Sequence, residues 1–330
     1  MIILGIETSC DDTAIALLKA KNKKFKVLSN IVSSQIEIHK KWGGVYPALA
    51  KREHIKNLPI VFNKIRLGRT SADFIAVTVG PGLEPCLWTG INFAKDLAKK
   101  LNVPIIPVNH VEAHILVNFI DKKPKLPAIA LVVSGGHTQL ILVEKIGKYK
   151  ILGETRDDAA GECFDKTARI LGLGYPGGPA IAAEAIKSRG RTSTVALPRP
   201  MIYTKDYDFS FSGLKTAVLY ESKKRKLNIQ AMAKEIQQAI IDVLIKKTKR
   251  AALDYKAKTI IVGGGVSANL ELRKQFKKSF DNVVFPNKNL STDNAIMTAI
   301  TGYYNRNKKT KNYDKIEAKA NLRITDNMIK

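Results

Sequence analysis

The sequence predicts an α/β fold built from two related halves. Short runs rich in Ile and Val alternate with longer helical patterns, an order that is typical of α/β proteins. The chain has 330 residues, of which 45% are hydrophobic, so it is long enough for two domains and apolar enough to bury a core in each. The order of elements in the first part of the chain recurs in the second part, which indicates an internal duplication.

The first round of elements begins with a hairpin whose polar turn is ETSCDD. The predicted elements are, in order, strands at 2–6, 13–18 and 73–79, a helix at 87–101 and a strand at 103–108. The residues Gly80-Pro81-Gly82 lie between the third strand and the helix, and a segment of Gly and Pro is typical of a turn.

The second round follows the same plan. Residues 126–143 carry no charge and approach the length of a membrane span, but the central SGGHTQ favours two strands joined by a turn, the second at 139–143. A strand at 258–262 then enters GGGVSAN and a helix. We therefore expect one half at 1–108 plus 296–330 and the other at 109–295, with an insertion near 154–224.

Net charge is the unusual property of this chain. Lys and Arg exceed Asp and Glu by 26, and such an excess attracts polyanions, nucleic acid first among them. A codon bias toward Lys is the alternative explanation, because Lys is far more frequent than Arg. The basic stretches are residues 21–26, 223–226, 246–250 and 308–311.

The cysteines and the start of the chain favour a cytoplasmic protein with no membrane partner. Cys10, Cys86 and Cys163 form no CxxC pair, which argues against a disulfide framework or a zinc ribbon. The start MIILGI has the pattern of a strand rather than that of a signal or transit peptide.

Two histidines predict a metal site. His110 and His114 are separated by four residues, so on a helix they lie on one face and can share a metal ion. Glu112 follows the first histidine by two residues rather than one, about 200° around the helix. It would face away from the metal, which disfavours an HExxH metalloprotease.

A third ligand must come from elsewhere in the chain, and Asp293 is the candidate. A catalytic site needs three protein ligands and one open position. Asp293 lies in Ser-Thr-Asp-Asn before an apolar helix, where such residues are also normal N-caps. The residues alone leave both interpretations open.

Three Gly-rich turns predict a nucleotide site between the halves. They are Ser134-Gly135-Gly136, the turn Gly177-Gly178 after Asp165, and Gly263–Gly265 before Asn269. Glycines let backbone N–H groups approach an anion, although a hairpin turn alone also explains the first. Neither GxGxxG nor GxxxxGK[ST] occurs, which disfavours Rossmann and P-loop sites.

The first polar turn brings acidic groups to the same region. It contains Glu7, Asp11 and Asp12, with Cys10 beside the two aspartates. Neighbouring carboxylates raise a thiol pKa, so Cys10 is not expected to act as a thiolate nucleophile. No GxSxG elbow is present, which weakens a serine hydrolase.

In combination, nine motifs resemble one family. They are ILGIETSCDDTAIAL, GGVYPALAKREH, TVGPGLEPCLWTGINFAK, NHVEAH, LVVSGGHTQL, DDAAGECFDKTARILGLGYPGGP, DFSFSGLKTA, GGGVSAN and STDNAIM. In this order, from about residue 3 to about residue 300, they resemble the tRNA adenosine threonylcarbamoyltransferases of the bacterial and organellar type.

The resemblance implies a fold and a reaction. The fold is that of the actin-like ATPases, two duplicated α/β halves around a nucleotide cleft that ATP or ADP can also occupy. The reaction is transfer of the threonylcarbamoyl group from threonylcarbamoyl-AMP to N6 of the adenosine 3′ to the anticodon, with release of AMP. The substrates are tRNAs that read codons beginning with A.

The resemblance also implies roles for individual residues. The metal ligands are His110, His114 and Asp293, and the metal is Fe²⁺ in preference to Zn²⁺. The adenylate-binding set is Val132, Val133, Ser134, Gly135 and Gly136 together with Asp165, Gly178 and Asn269. Asp11 and Asp12 are the catalytic carboxylates, although relatives often carry Glu where this chain has Asp12.

Partners and rival functions follow from the same resemblance. The expected partners are tRNA, a threonylcarbamoyl-AMP synthase, and either accessory subunits (a degenerate paralogue and a small ATPase) or a second copy of the chain. A small-molecule kinase of the same fold is one alternative, although it needs no histidine pair. A non-catalytic tRNA-binding subunit is the other.

Overall fold

The computed structural model describes residues 1–65, 72–188, 196–224 and 228–328. The chain divides into two compact units. The first comprises Met1–His39, Val45–Lys123 and Thr292–Lys330, and the second comprises Lys40–Gly44 and Pro124–Ser291. Residues 109–123 and 292–295, which the predicted boundaries assign to the second half, lie in the first unit, because the helix that starts at His110 packs against the helix that starts at Ala295.

Each unit contains one five-stranded sheet. The strands of the first are β1 (Ile2–Glu7), β2 (Asp12–Lys21), β3 (Lys24–Ser34), β4 (Phe74–Gly80) and β5 (Ile105–Asn109). Those of the second are β6 (Ala128–Val133), β7 (Thr138–Lys145), β8 (Lys148–Glu154), β9 (Thr259–Gly263) and β10 (Val283–Val284).

The described helices follow in chain order. They are α1 (Ile36–His39), α2 (Pro47–Lys64), α3 (Glu84–Leu101), α4 (His110–Leu116), α5 (Ala160–Ile170), α6 (Gly177–Lys187), α7 (Ser212–Lys224), α8 (Ile229–Asp254), α9 (Leu270–Ser279) and α10 (Ala295–Tyr304). Short 3₁₀ turns occupy Lys40–Trp42, Val117–Phe119, Gly265–Ala268, Lys288–Leu290, Arg306–Lys308 and Tyr313–Lys315. Among the described residues, no helix combines the length and the apolar character needed to cross a membrane.

The two sheets have the same strand order, which confirms the duplicated plan. The first sheet runs β3-β2-β1-β4-β5 and the second runs β8-β7-β6-β9-β10. In each, the first three strands are antiparallel and the last two run parallel to the first strand of the unit. The uncharged window at 126–143 forms the predicted hairpin, in which Val133 pairs with Thr138.

The connection that follows the hairpin differs in length between the units. It spans residues 35–73 after β3 and residues 155–258 after β8, where α5, α6, α7 and α8 occupy it. The predicted insertion near 154–224 falls in this longer connection, and its residues 189–195 lie outside the described part of the chain.

Parallel strands bring their carboxyl ends to one edge of a sheet, and ligand sites form there. In the first unit, β1 ends at Glu7, β4 at Gly80 and β5 at Asn109, which leads directly into α4. Every residue of these three strands is buried, because helices cover both faces of a parallel sheet. In the second unit, β6 ends at Val133 and β9 at Gly263.

Candidate active site

The short helix α4 holds the predicted histidine pair. It starts directly after β5, and the side chain of Asn109 caps it by accepting a hydrogen bond from the Glu112 N–H at 3.0 Å. His110 and His114 lie one turn apart on this helix, with ring centroids separated by 4.6 Å. Both rings are buried. The predicted common face of the two histidines is therefore confirmed.

Asp293 joins the two histidines. Its Oδ1 lies 3.6 Å from Nε2 of His110 and 3.2 Å from Nε2 of His114. The cap of α10 is not Asp293 but Asn294, whose side chain accepts a hydrogen bond from the Met297 N–H at 3.1 Å. The capping alternative for Asp293 is thereby excluded.

The three side chains fit a divalent metal. Their ligand atoms all lie within 4.8 Å of one another, and two ligands at about 2.1 Å from a tetrahedral Zn²⁺ would be about 3.4 Å apart. Among the described residues, neither buried ring nitrogen of His114 makes a hydrogen bond, although Nε2 lies 3.2 Å from Asp293. Two imidazoles and one carboxylate suit iron and zinc alike.

Glu112 takes no part in this site. Its Oε2 accepts a hydrogen bond from the Asn305 side-chain amide at 2.8 Å, and the residue is buried. The prediction that Glu112 faces away from the metal ligands is confirmed. A zinc-peptidase arrangement with this residue as general base is accordingly excluded.

Glu7 and Ser9 lie at the other ring nitrogen of His110. The Glu7 Oε2 is 3.5 Å from Nδ1 of His110, and the Ser9 hydroxyl is 3.1 Å from the same atom. Glu7 is fully buried and accepts hydrogen bonds from the Ser9 N–H at 2.8 Å and from the Thr78 and Thr298 hydroxyls at 2.5 and 3.1 Å. A carboxylate that orients a ligating histidine is typical of metal sites.

Glu7 is not among the predicted catalytic or metal-binding residues. Its position at the end of β1 was visible in the sequence, but its donors were not, since Thr78 and Thr298 come from β4 and α10. A glutamate inside an otherwise apolar strand end, IILGIE, is the one local signal that it has a specific partner.

The surroundings of His110 favour a positive charge on its ring. Burial lowers the pKa of His110, but the carboxylates of Asp293 and Glu7 outweigh burial and raise it to about 9. Burial raises the pKa of Glu7, but the charge of His110 together with hydrogen bonds from His110 and Thr78 outweighs burial, so the Glu7 pKa lies below its ordinary value. An environment that stabilises a cationic imidazole also suits a metal ion, which binds in place of the proton.

The negative charge of Asp293 acts on the carboxyl groups of Asp11 and Asp12. Burial, and next the carboxylate of Asp293, raise the pKa of both residues, that of Asp12 to about 7. Oδ1 of Asp12 is buried and makes no hydrogen bond within the described residues. Burial, Asp11 and Asp293 also raise the pKa of the Cys10 thiol well above its ordinary value, which confirms that Cys10 is not an activated nucleophile.

The predicted adenylate-binding residues all belong to the second unit. Val132 and Val133 are buried at the end of β6, and Ser134 begins the turn to β7. The Ser134 N–H donates to the His137 carbonyl at 2.8 Å, and the His137 N–H donates to the Ser134 hydroxyl at 3.1 Å. The segment is therefore a tight hairpin turn.

The two glycines of that turn are open. Gly135 and Gly136 are exposed, and a Cβ added to either would meet nothing within 4 Å. Space of this kind beside backbone N–H groups is what a phosphate requires.

Two of the remaining three residues, Asp165 and Asn269, make hydrogen bonds within the second unit. Asp165 accepts a hydrogen bond from the Gly177 N–H at 2.6 Å, while Gly178 is open in the same way as Gly135. Asn269 caps α9 through the Leu272 N–H at 3.0 Å and donates to Gln237 at 2.8 Å. Its side chain therefore supports the GGGVSAN turn, and a role in binding adenylate remains a prediction.

Solved structures identify the class of fold. The chain is similar to full-length HypF in its phosphate- and nucleotide-bound form, with a TM-score of 0.61 and 11% identity over 92% of this chain and 46% of that one. It is also similar to the activator of the 2-hydroxyisocaproyl-CoA dehydratase from Clostridium difficile, with a TM-score of 0.54 and 13% identity over 93% and 95% of the two chains. The protein has the actin-like ATPase fold, here with a His-His-Asp cluster in its first unit.

Sequence relatives then identify the family. The family model for tRNA N6-adenosine threonylcarbamoyltransferase (TsaD) matches residues 26–300. The chain is 48% identical to the Thermosipho africanus tRNA N6-adenosine threonylcarbamoyltransferase over 98% of its own length and 100% of the relative. It is 45% identical to the Clostridioides difficile protein of the same name, over 98% of each. The chain belongs to this family, and its function is tRNA threonylcarbamoyladenosine modification.

Proposed function

We propose that this protein transfers the threonylcarbamoyl group of threonylcarbamoyl-AMP to N6 of the adenosine 3′ to the anticodon, in tRNAs that read codons beginning with A, and releases AMP. We further propose that the transfer depends on one divalent metal. The observation that supports metal dependence is the convergence of His110, His114 and Asp293, with the nitrogen and oxygen atoms of all three within 4.8 Å of one another.

The chemistry required is acyl transfer to a weak amine with AMP as the leaving group. A divalent metal held by His110, His114 and Asp293 would polarise the carbamoyl oxygen. Fe²⁺ is the metal we propose, with Zn²⁺ as the alternative that the same ligands accept. Glu7 and Ser9 hold the Nδ1 edge of His110, which leaves its Nε2 on the side of Asp293.

We propose that Asp11 or Asp12 accepts the proton that the attacking amine loses. A general base must be ionised to accept a proton, and in the metal-free protein burial together with Asp293 raises the pKa of Asp12 to about 7. A bound metal cation would lower both carboxyl pKa values. Asp11 would therefore orient the amine as a carboxylate, and either aspartate would accept its proton.

The second unit is proposed to bind the AMP part of the donor. The N–H groups of Gly135 and Gly136 would contact the phosphate, and the open space at these residues would admit it. The same contacts would stabilise the charge that develops on the departing AMP. Asp165, Gly178 and Asn269 belong to the same proposed subsite, which ATP or ADP would also enter.

The proposed reaction requires a supply of its donor. Threonylcarbamoyl-AMP is a mixed anhydride, so a separate synthase that consumes ATP, threonine and bicarbonate must make it. Accessory subunits, namely a degenerate paralogue and a small ATPase, or a second copy of this chain, are proposed as further partners.

Nucleoside mass spectrometry tests the reaction and the metal together. Unmodified tRNA is incubated with the protein, the synthase, threonine, bicarbonate and ATP, and the modified adenosine is measured alongside the metal content of the protein. We expect His114→Ala and Asp293→Asn to lose both metal and product while remaining folded, and Asp96→Asn, an exposed position on α3, to retain both. Full activity of metal-stripped His114→Ala would refute metal dependence.

A further inference from the structure

A surface groove of the second unit combines an aromatic ring with lysines. It has a volume of about 800 Å³ and is lined by the turn at 199–203 and by α8 and α9. The side chains that matter here are Tyr203 on the turn and Lys246 and Lys249 on α8.

Tyr203 is the prominent feature of the groove. At 83% exposure it is the most exposed large hydrophobic side chain among the described residues. Nζ of Lys246 lies 5.9 Å from the centre of its ring. A planar group such as a nucleic-acid base can stack on an aromatic ring that is exposed to solvent and has a cation beside it.

The chain after Tyr203 is held in place by a buried cation. Lys247 has no exposed side-chain surface, and its Nζ donates to the Thr204 hydroxyl at 2.8 Å and to the Asp206 carbonyl at 3.1 Å. Arg250 donates to the Thr204 carbonyl at 2.5 Å. The exposed ring is therefore carried by a fixed turn, so little conformational entropy would be lost when a ligand stacks on it.

The two α8 lysines that face the groove are not neutralised. Arg199, which also lines it, pairs with Glu235 and Asp242. Within the described residues, neither Lys246 nor Lys249 is in an ion pair, and the two are one helical turn apart. Two further exposed lysines are close to lining residues in the sequence: Lys278 is next to Ser279, and Lys205 is two residues after Tyr203.

We propose, on the basis of the tRNA substrate of the proposed function, that this groove binds an unpaired segment of tRNA. One base would stack on Tyr203, and neighbouring phosphates would contact Lys246 and Lys249. A fixed aromatic ring beside uncompensated lysines is the combination that binds single-stranded nucleic acid. An unpaired segment is required because a base inside a helix has no free face for the ring.

Binding of an unmodified tRNA transcript to the full chain tests the role of the ring. Tyr203→Ala is expected to weaken binding by about 5- to 100-fold, the effect of losing one stacked base. Tyr203→Phe, which keeps the ring, is expected to bind like the wild type. Tyr220→Ala, at an exposed tyrosine on α7, is the matched control and is expected to change nothing.

The salt dependence of the same binding tests the lysines. Each phosphate contact on a single strand contributes about 0.7 to the slope of log K against log salt. The double variant Lys246→Gln/Lys249→Gln is therefore expected to lower that slope by about 1.4. The control pair Lys223→Gln/Lys234→Gln, at exposed lysines on α7 and α8, is expected to keep the wild-type slope.

The outcomes separate the groove from the reaction. If the groove variants bind tRNA and form modified adenosine as the wild type does, the proposal that the groove binds tRNA is wrong, and the proposed reaction is unaffected. Polyglutamate that binds the wild type but not these variants, with tRNA binding unchanged, would assign the groove to an acidic protein and also overturn the proposal. If the groove variants bind tRNA more weakly but the wild-type protein forms no modified adenosine, the proposed reaction is wrong, and the proposal that the groove binds tRNA is supported.

Discussion

The carboxylate of Glu7 lies 3.5 Å from Nδ1 of His110, while Nε2 of the same ring lies 3.6 Å from Asp293. The imidazole is therefore contacted by a carboxylate at each nitrogen. Glu7 cannot rotate away, because the hydroxyls of Thr78 and Thr298 and the N–H of Ser9 all donate to it. With the Nδ1 hydrogen directed toward Glu7 and Ser9, Nε2 keeps the lone pair that a metal needs.

Glu7→Gln is expected to weaken metal binding by about 10- to 100-fold, the usual effect of losing a carboxylate behind a ligating histidine. Titration of the metal-free protein with Co²⁺, followed by its visible absorption, measures this directly. Glu84→Gln, at an exposed glutamate on α3, serves as the control. Equal Co²⁺ affinity in Glu7→Gln and the wild type would show that His110 is positioned without Glu7.

Asp11→Asn is expected to lower the rate of transfer by about 10²- to 10⁴-fold, because an amide cannot accept a proton. Metal content should not change, since His110, His114 and Asp293 remain. Asp12→Asn is expected to lower the rate as well, whereas Asp12→Glu, which keeps the carboxylate, should retain most of it. Single-turnover formation of the modified nucleoside measures these rates, and a fully active Asp11→Asn variant would exclude Asp11 from proton transfer.

The sequence predicted local features of the site well and long-range ones poorly. The spacing of His110 and His114 was sufficient to place them on one face of α4, since that depends only on helix geometry. Asp293 stayed ambiguous until the structure showed that Asn294 is the cap. Glu7 was not predicted as a residue of the site, because its hydrogen-bond donors Thr78 and Thr298 are distant from it in the sequence.

The basic stretch at 246–250 illustrates the same limit. Its lysines and arginine look equivalent in the sequence, yet Lys246 and Lys249 are exposed while Lys247 is buried against Thr204 and Asp206. Helical periodicity alone predicts that they point in different directions, but only the fold shows which direction is solvent. Residues 225 and 226 of the stretch 223–226 lie outside the described part of the chain.

The ionised carboxylate of Asp157 is expected to stabilise the fold above about pH 4, and this contribution should be lost at lower pH. Burial raises its pKa, but hydrogen bonds from the Ser210 and Ser212 hydroxyls and the Phe211 and Ser212 N–H groups outweigh burial and hold the pKa below its ordinary value of 3.8. A lowered carboxyl pKa stabilises the fold above the unfolded-state pKa, and that stabilisation is lost as the pH falls through the folded-state pKa.

Asp157→Asn should therefore lower the unfolding free energy by about 1 kcal/mol at pH 7, a modest value because the carboxylate is exposed. The difference from the wild type should persist at pH 5 and shrink below about pH 4. Urea unfolding at several pH values measures it, with the exposed Asp281→Asn as control. A difference that stayed constant down to pH 3 would contradict the assignment to the ionised carboxylate.

Two adjacent glycines in the second unit are expected to differ in how much the same substitution lowers stability. Gly264 has a φ of +88°, and a Cβ there would clash with the backbone carbonyl of Val133 at the end of β6. Gly265 has open space at the same position. The first glycine is thus required by backbone conformation and by close approach of two strand ends, whereas the second is not.

Gly264→Ala is expected to lower the unfolding free energy by about 2 to 6 kcal/mol, because the strained backbone and the steric clash each contribute about 1 to 3 kcal/mol. Gly265→Ala should leave stability within about 1 kcal/mol of the wild type. Thermal unfolding of the two variants side by side measures the difference. Equal stability of the two would mean that the end of β6 can move away from Gly264, and that the turn Ser134–Gly136, which follows Val133 and is proposed to contact phosphate, is not held in a fixed position.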